Sequence, residues 1–123
     1  MFFIKNYKLD IYIKNNEEEY NFKNINSKYK DDKYIFDIDN DKYEITIKDD
    51  IIFHKENDES VLDFNFKDNV ITTGTYYIKE LNFYMDAKVK TTKLDLDKIL
   101  VEYKLWLQDE EIGNFIFKMK VKE

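Results

Sequence analysis

The sequence contains no cysteine, no proline and no arginine, and it has only two glycines and one histidine. Without cysteine the chain can form neither a disulfide nor a thiolate zinc site, and it has no cysteine nucleophile. Without arginine it lacks the bidentate guanidinium that reads phosphate and guanine, and the net charge of -6 also opposes nucleic acid. With a single histidine to offer a metal, these absences predict no nucleic-acid partner, no metal site and no cofactor.

Long hydrophobic runs are also missing. The apolar start, Met1 to Ile4, gives way to Lys5 and then Asp10, and it is too short for a signal-peptide core or a membrane span. We therefore expect a cytoplasmic protein without membrane contact. Hydrophobic residues make up 43% of the 123 positions, which is enough to fill the core of a single domain spanning residues 1–123.

The end of the chain shows the clearest pattern. Apolar side chains occupy alternate positions of 99–107 and again of 115–121, on either side of a polar turn predicted at Asp109 to Asn114. This period of two predicts a β-hairpin with one buried face and one solvated face. A hairpin cannot bury its apolar face alone, so other strands must cover it.

Similar alternation runs through the rest of the chain. We count about ten short strands separated by polar turns, with no convincing helix. The softer alternation of 18–30 predicts an edge or bulged strand, and a phase slip between Thr91 and Leu94 predicts a β-bulge. Short turns make strands that are neighbours in sequence neighbours in the sheet. A meander that is apolar on one side hides that side by closing, so we predict an all-β, antiparallel, up-and-down closed barrel of eight to ten strands.

Three short motifs suggest a family: Thr73 to Tyr76 before a hydrophobic strand, Val101 to Leu105, and the closing Gly113 to Phe115. With them, the stretch from Ile45 to the end resembles the YwiB-like family of small bacterial proteins, whose barrel is of the calycin, lipocalin-like type. The resemblance covers roughly the C-terminal two thirds. It implies a closed calycin-like barrel, and the family has no established activity or catalytic residues to transfer.

A barrel of this size is either filled by side chains or just able to hold one small ligand. Our first hypothesis is a non-catalytic protein that binds a small apolar ligand in its lumen. Gly74, which falls in mid-strand, is interpreted as a sharp bend or a close backbone approach and not as a gap for a ligand. The predicted lumen residues are Tyr76, Phe83, Met85, Tyr103 and Phe117.

An alternative hypothesis is a structural or protein-interaction module with a filled core. Trp106 falls on the solvated face of its strand, and a hairpin register centred near Glu111 would set it beside Ile116, with Tyr84 in the same outward phase. Such a patch would mark a partner surface and a possible homodimer. The competing interpretation is that the N-terminal strand or a loop covers Trp106.

Catalytic constellations are weak. His54 would need Ser27 or Ser60, the two serines of the chain, and no nucleophile-elbow glycines surround either. Asp37, Asp39 and Asp41 resemble the start of a calcium loop, but lysines stand where that loop needs its glycine and its glutamate. We predict no catalytic residue and no enzyme activity, with a carboxylate-dependent hydrolase at the barrel mouth as a less favoured third hypothesis.

Overall fold

The structure is a computed structural model that describes residues 4–122, so Met1 to Phe3 and Glu123 lie outside the described residues. The described chain consists of ten β-strands and the turns between them. Within 4–122 there is no helix long and apolar enough to cross a bilayer. The strands are β1 (Lys5–Asn15), β2 (Glu18–Lys30), β3 (Lys33–Ile38), β4 (Asp41–Ile47), β5 (Ile51–Glu56), β6 (Ser60–Phe66), β7 (Ile71–Ile78), β8 (Phe83–Asp95), β9 (Leu100–Leu107) and β10 (Glu110–Lys122).

The strands form one closed antiparallel barrel. Each strand pairs with the one before and the one after it, and β1 pairs with both β2 and β10, which closes the sheet. Closure puts one face of every strand inside, although β2 pairs with β3 only over residues 27–30. The prediction of an all-β, up-and-down closed barrel is confirmed.

The core lies inside the barrel and consists of the apolar half of each alternating strand. Leu9, Ile45, Phe66 and Val101 have no exposed surface at all. Their sequence neighbours point outward and are mostly charged or polar, which keeps the wall solvated. The period of two in the sequence therefore reflects strands whose alternate side chains point into the core and into solvent.

Turns built without glycine connect several strands. Asp31 and Asp32 between β2 and β3 both have positive φ (53° and 64°), as do Gln108 and Asp109 between β9 and β10 (51° and 65°). Two-residue turns with positive φ match the right-handed twist of the flanking strands. Aspartate is among the residues that best tolerate this region after glycine, so a chain with only two glycines can still make tight hairpins.

The last hairpin is tighter than predicted. The sequence suggested a polar turn from Asp109 to Asn114, but only Gln108 and Asp109 form the turn and β10 begins at Glu110. A bulge between Glu111 and Gly113 then shifts the register, and Gly113 has a φ of 147°, a conformation that favours glycine. The bulge restores the phase that brings Phe115 inside.

Both sites that the sequence singles out contain register shifts, and residues 18–26 of β2 pair with β1 alone, as a strand edge does. The register between β1 and β2 shifts between Leu9 and Ile11, and the register between β8 and β9 shifts between Thr91 and Lys93. Each shift keeps the apolar side chains on the inner face, since a slip of one residue without a bulge would turn the rest of the strand inside out.

Gly74 lies where β7 comes unusually close to β6. A Cβ atom at this position would be 2.4 Å from the backbone oxygen of Asp63 and 2.9 Å from Cδ1 of Phe64. The pairing of the two strands also stops one residue away, at Asp63 and Thr75. The space beside Gly74 is therefore occupied by β6, which agrees with a close backbone approach and not with a gap for a ligand.

Candidate functional site: a cavity in the barrel lumen

A cavity of about 300 Å³ opens at one end of the barrel. This end, which we call the mouth, carries the turns 16–17, 39–40, 57–59, 79–82 and 108–109. The cavity lies between inward-facing side chains near these turns. Its lining consists of Ile13, Asn15, Tyr20, Phe22, Ile38, Asp39, Asp41, Tyr43, Phe53, Lys55, Leu62, Phe64, Tyr103, Leu105, Phe115, Ile116 and Phe117.

Aromatic rings form most of the inner wall. Phe53 contacts Phe117 edge to face with ring centroids 5.4 Å apart, and Tyr103 stacks on Phe115 at the same centroid distance. The Tyr43 ring lies 5.8 Å from that of Phe53. Offset and edge-to-face pairs of this kind fix the rings in place, so the cavity has a defined, mainly apolar wall.

Two tyrosine hydroxyls contribute polarity to this wall without charge. Burial raises the pKa of Tyr103, and burial together with Asp41 and Asp39 raises the pKa of Tyr43. Both hydroxyls therefore stay protonated well above neutral pH, and each can donate or accept a hydrogen bond. The lumen can bind an apolar body and also satisfy an isolated polar group.

The mouth carries a small charged cluster made of Asp39, Asp41 and Lys55. Lys55 shares the inward phase of Phe53, and its Nζ lies 3.6 Å from Oδ2 of Asp41 and 5.6 Å from the centroid of the Tyr43 ring. Oδ1 of Asp41 accepts a hydrogen bond of 2.9 Å from Nδ2 of Asn57. Asp39 forms no hydrogen bond or ion pair with another residue of 4–122.

Of the five predicted lumen residues, the structure places Tyr103 and Phe117 in the cavity wall. Tyr76 and Met85 are paired with each other in the inward phase and are half-buried, but they do not line the cavity. The prediction for Phe83 is wrong, because this side chain is 45% exposed. Its strand extends beyond the end of β9, where Leu107 pairs with Ala87, so no neighbouring strand covers it on that side.

Sequence reasoning missed the other half of the cavity. Tyr43, Phe53 and Leu62 come from strands whose alternation is clear, and that alternation places them inside. Lys55 and Asp41 continue the same inward phase to the strand ends. The sequence could have indicated the mouth, because Lys55 and Asp41 are charged residues at positions of their strands that point into the barrel.

The predicted partner surface is not one patch. Trp106 pairs with Glu111 and Lys88, whereas Ile116 pairs with Glu102 and Lys14, so the two side chains are not neighbours as the predicted register required. The cause is the two-residue turn, which centres the hairpin near residue 108.5 and not at Glu111. Trp106 is half-buried beneath Nζ of Lys104, 5.9 Å from its ring, and β1 belongs to the wall and does not cover it.

Tyr84, the third residue of that predicted surface, lies elsewhere. It is 62% exposed on β8 and its ring lies 4.4 Å from that of Tyr77 across the β7–β8 hairpin. Leu81, in the turn of the same hairpin, is 67% exposed. A cluster of exposed apolar side chains therefore lies at the tip of this hairpin.

His54 lies on the outer wall, away from the cavity lining. Its Nδ1 is 2.5 Å from Oδ1 of Asp63, and its Nε2 faces Glu44 and Glu56 at 3.8 and 3.6 Å. The hydroxyls of the two serines have other partners: that of Ser27 donates to the carbonyl of Lys28 and that of Ser60 to Oδ1 of Asn57. No Ser-His relay is formed in the described chain.

The acidic triplet of residues 37, 39 and 41 belongs to an ordinary hairpin. Ile38 pairs with Asp41, which leaves Asp39 and Asn40 as the turn between β3 and β4, and Asp37 points to the outside opposite Lys42. Among residues 4–122 no group of three or more His, Cys, Asp or Glu side chains is arranged to hold a metal ion.

Several depressions on the outer wall are larger than the lumenal cavity. One of about 440 Å³ is lined by residues of β1, β2 and β10 that include Asp10, Lys23, Lys118 and Lys120, and one of about 590 Å³ is lined mainly by asparagines and lysines of the same strands. Both are grooves between long polar side chains. The lumenal cavity is smaller, but it combines aromatic walls with convergent polar groups, which is typical of ligand sites.

The fold and the cavity define a closed, ten-stranded antiparallel barrel with a lumen that opens at one end. No family model and no curated protein matches the sequence. Among solved structures, the crystal structure of ywiB protein from Bacillus subtilis is similar, with a TM-score of 0.55 and 13% identity, covering 98% of this chain and 92% of that chain. At this identity the similarity shows that the two proteins share a YwiB-like barrel, and it does not indicate a function.

Proposed function

We propose that this protein is a non-catalytic binding protein that holds one small apolar ligand in its lumen. The supporting observation is the cavity of about 300 Å³, which is open at the mouth and walled by rings such as Phe53, Tyr103 and Phe117. This volume is at the lower end of the range found for small-molecule sites. Burial of an apolar ligand against these rings would stabilise the complex by about 25 cal/mol per Å² of apolar surface removed from water.

The polar groups at the mouth favour binding over hydrolysis. A glycosidase-type mechanism needs two carboxyl groups that are free to act on a substrate. Both oxygens of Asp41 are already engaged, one by Asn57 and one by Lys55. Asp39, the other carboxylate of the cavity lining, cannot supply both the acid and the base.

The proposal includes a calycin-like relationship. The up-and-down wiring and the lumen that opens at one end support it, although lipocalins have eight strands and this barrel has ten. The cytoplasmic location stays a prediction from the sequence.

Blocking the lumen tests the proposal. Leu62 lies in the cavity wall near the mouth, so Leu62→Trp should fill part of the cavity. Ile52→Trp is the matched control, because Ile52 is 42% exposed on the outer wall of the adjacent strand. We expect a naphthalene probe, followed by NMR titration, to bind wild type and Ile52→Trp alike and to bind Leu62→Trp at least tenfold more weakly. Equal binding to all three proteins would refute a lumenal site.

The protein-contact alternative now rests on the tip of the β7–β8 hairpin, where Leu81, Phe83 and Tyr84 are all exposed. Clustered exposed apolar side chains mark contact surfaces more often than isolated ones do. If two copies associate through this tip, Leu81→Lys should shift sedimentation at high protein concentration towards the monomer. An unchanged sedimentation profile would remove the homodimer from consideration.

A further inference from the structure

We infer that the ligand of the lumen carries a positive charge next to its apolar body, as a protonated amine or a quaternary ammonium does. This inference rests on the proposed function, because it assigns the chemical class of the lumenal ligand. Three features of the mouth lead to it: the charge of the turns around the opening, the position of Lys55, and the exposed carboxylate of Asp39.

The opening is surrounded by acidic turns. Of the residues in the five turns at this end, only Lys79 is basic, and its Nζ pairs with Oε2 of Glu56 at 2.9 Å. A rim of one sign above low-dielectric walls attracts counter-charged ligands and repels others. The acidic residues of these turns are Glu17, Asp39, Asp58, Glu59, Glu80 and Asp109, of which Asp109 is paired with Nζ of Lys88 at 3.1 Å.

The position of Lys55 shows that the mouth can hold an ammonium group. Its Nζ is placed between the carboxylate of Asp41, at 3.6 Å, and the face of the Tyr43 ring, at 5.6 Å. A carboxylate and an aromatic face are the two groups that proteins use most to bind ammonium ions. The ammonium group of Lys55 thus shows that the mouth offers the carboxylate and the aromatic face that an ammonium ion needs.

Asp39 gives the charged cluster at the mouth its net negative charge. Asp41 and Lys55 compensate each other, and Asp39 lies in the cavity wall without an ion-pair partner among the described residues. The three charges therefore sum to one negative charge. An anionic ligand would have to compete with Asp41 for Lys55 and approach Asp39 as well, whereas a cationic ligand meets Asp39 directly and can contact the aromatic wall.

The test uses three probes with one ring system: 2-naphthylmethylamine, which is protonated at pH 7, 2-naphthalenemethanol, which is neutral, and 2-naphthoate, which is anionic. Affinities are measured by NMR titration at low ionic strength, where surface charge is least screened. We expect the amine to bind about tenfold more tightly than the alcohol, a difference of about 1.4 kcal/mol, and the carboxylate to bind most weakly.

Asp39→Asn should reduce the preference for the amine to about threefold or less. The substitution suits the turn, because Asp39 has a φ of 54° and asparagine tolerates this region well. Asp31→Asn is the matched control, since Asp31 is an exposed turn residue with a φ of 53° between β2 and β3, at the opposite end of the barrel, and it should leave the preference at its wild-type value.

The outcomes separate the two ideas. If the alcohol binds as tightly as the amine, if the carboxylate binds best, or if Asp39→Asn leaves the preference intact, the charge inference is overturned while the lumenal site stands. If none of the probes binds, the proposed function fails and the inference fails with it.

Discussion

Gly74→Ala should destabilise the barrel, although the same substitution at an unstrained strand position normally stabilises. Alanine loses less backbone entropy than glycine on folding, which favours Ala by roughly 0.5–1 kcal/mol in a strand. Here, however, the new Cβ would be 2.4 Å from the carbonyl oxygen of Asp63, where an ordinary carbon–oxygen contact is about 3.3 Å. The obstructing atom is backbone, so β6 and β7 would have to separate by close to 1 Å.

The expected cost is about 3 kcal/mol, at the upper end of the range for overpacked cores. For a domain with a total stability of about 5–15 kcal/mol, this is a large fraction. In urea unfolding followed by circular dichroism, a slope of about 2 kcal/mol per molar converts the loss into a midpoint lower by roughly 1.5 M. Thr75→Ala, at an exposed position on the same strand, should change the midpoint little.

A Gly74→Ala protein with a wild-type or higher midpoint would refute this reasoning. It would show that the space beside Asp63 is open in solution. Because a gap for a ligand would need an open space at this point of the wall, the result would also support the interpretation of Gly74 as such a gap.

Three further predictions concern the interior. Thr91 is fully buried and its hydroxyl has no hydrogen-bond partner in the described chain, so Thr91→Val should raise the free energy of unfolding by about 1–2 kcal/mol, whereas Thr73→Val at an exposed position should change it by less than about 0.5 kcal/mol. Burial raises the pKa of Tyr43 and Tyr103, so the stability that these neutral hydroxyls contribute is complete below the unfolded tyrosine pKa of about 10 and is lost as the pH rises above it. Urea unfolding midpoints measured from about pH 9 to 12 should therefore fall less steeply for Tyr103→Phe than for wild type, and parallel curves would contradict this. Phe117 is 3% exposed, so Phe117→Ala should lower the free energy of unfolding by about 3–5 kcal/mol, and a loss below 1 kcal/mol in urea titration would show that the lumen is not packed around it.

Much of the architecture follows from local pattern. Alternation in segments such as 99–107 predicts strands whose apolar side must be covered, and short polar turns make consecutive strands adjacent. The bulge near Thr91 was visible because the apolar phase slips there by one residue. The closed antiparallel wall was therefore predictable from the sequence.

The candidate site was only partly predictable, because it depends on how far each strand extends. Phe83 has the same inward phase as Met85 and Ala87, yet it is exposed because β9 ends opposite Ala87. The separation of Trp106 from Ile116 depends on a turn of two residues where the composition suggested six. Phase gives the direction of a side chain, but the lengths and register of neighbouring strands decide whether anything covers it.

By itself, the sequence determined that the chain forms an antiparallel meander with one apolar face, since a period of two is a property of each strand and survives any arrangement of its neighbours. Only the tertiary structure decided that Asp39, Lys55 and Tyr103 meet around one opening, because the β3–β4 turn and β5 face β9 across the lumen only when β1 pairs with β10. A contact between strands this distant in sequence depends on the closure and stagger of the whole barrel, which no local pattern encodes.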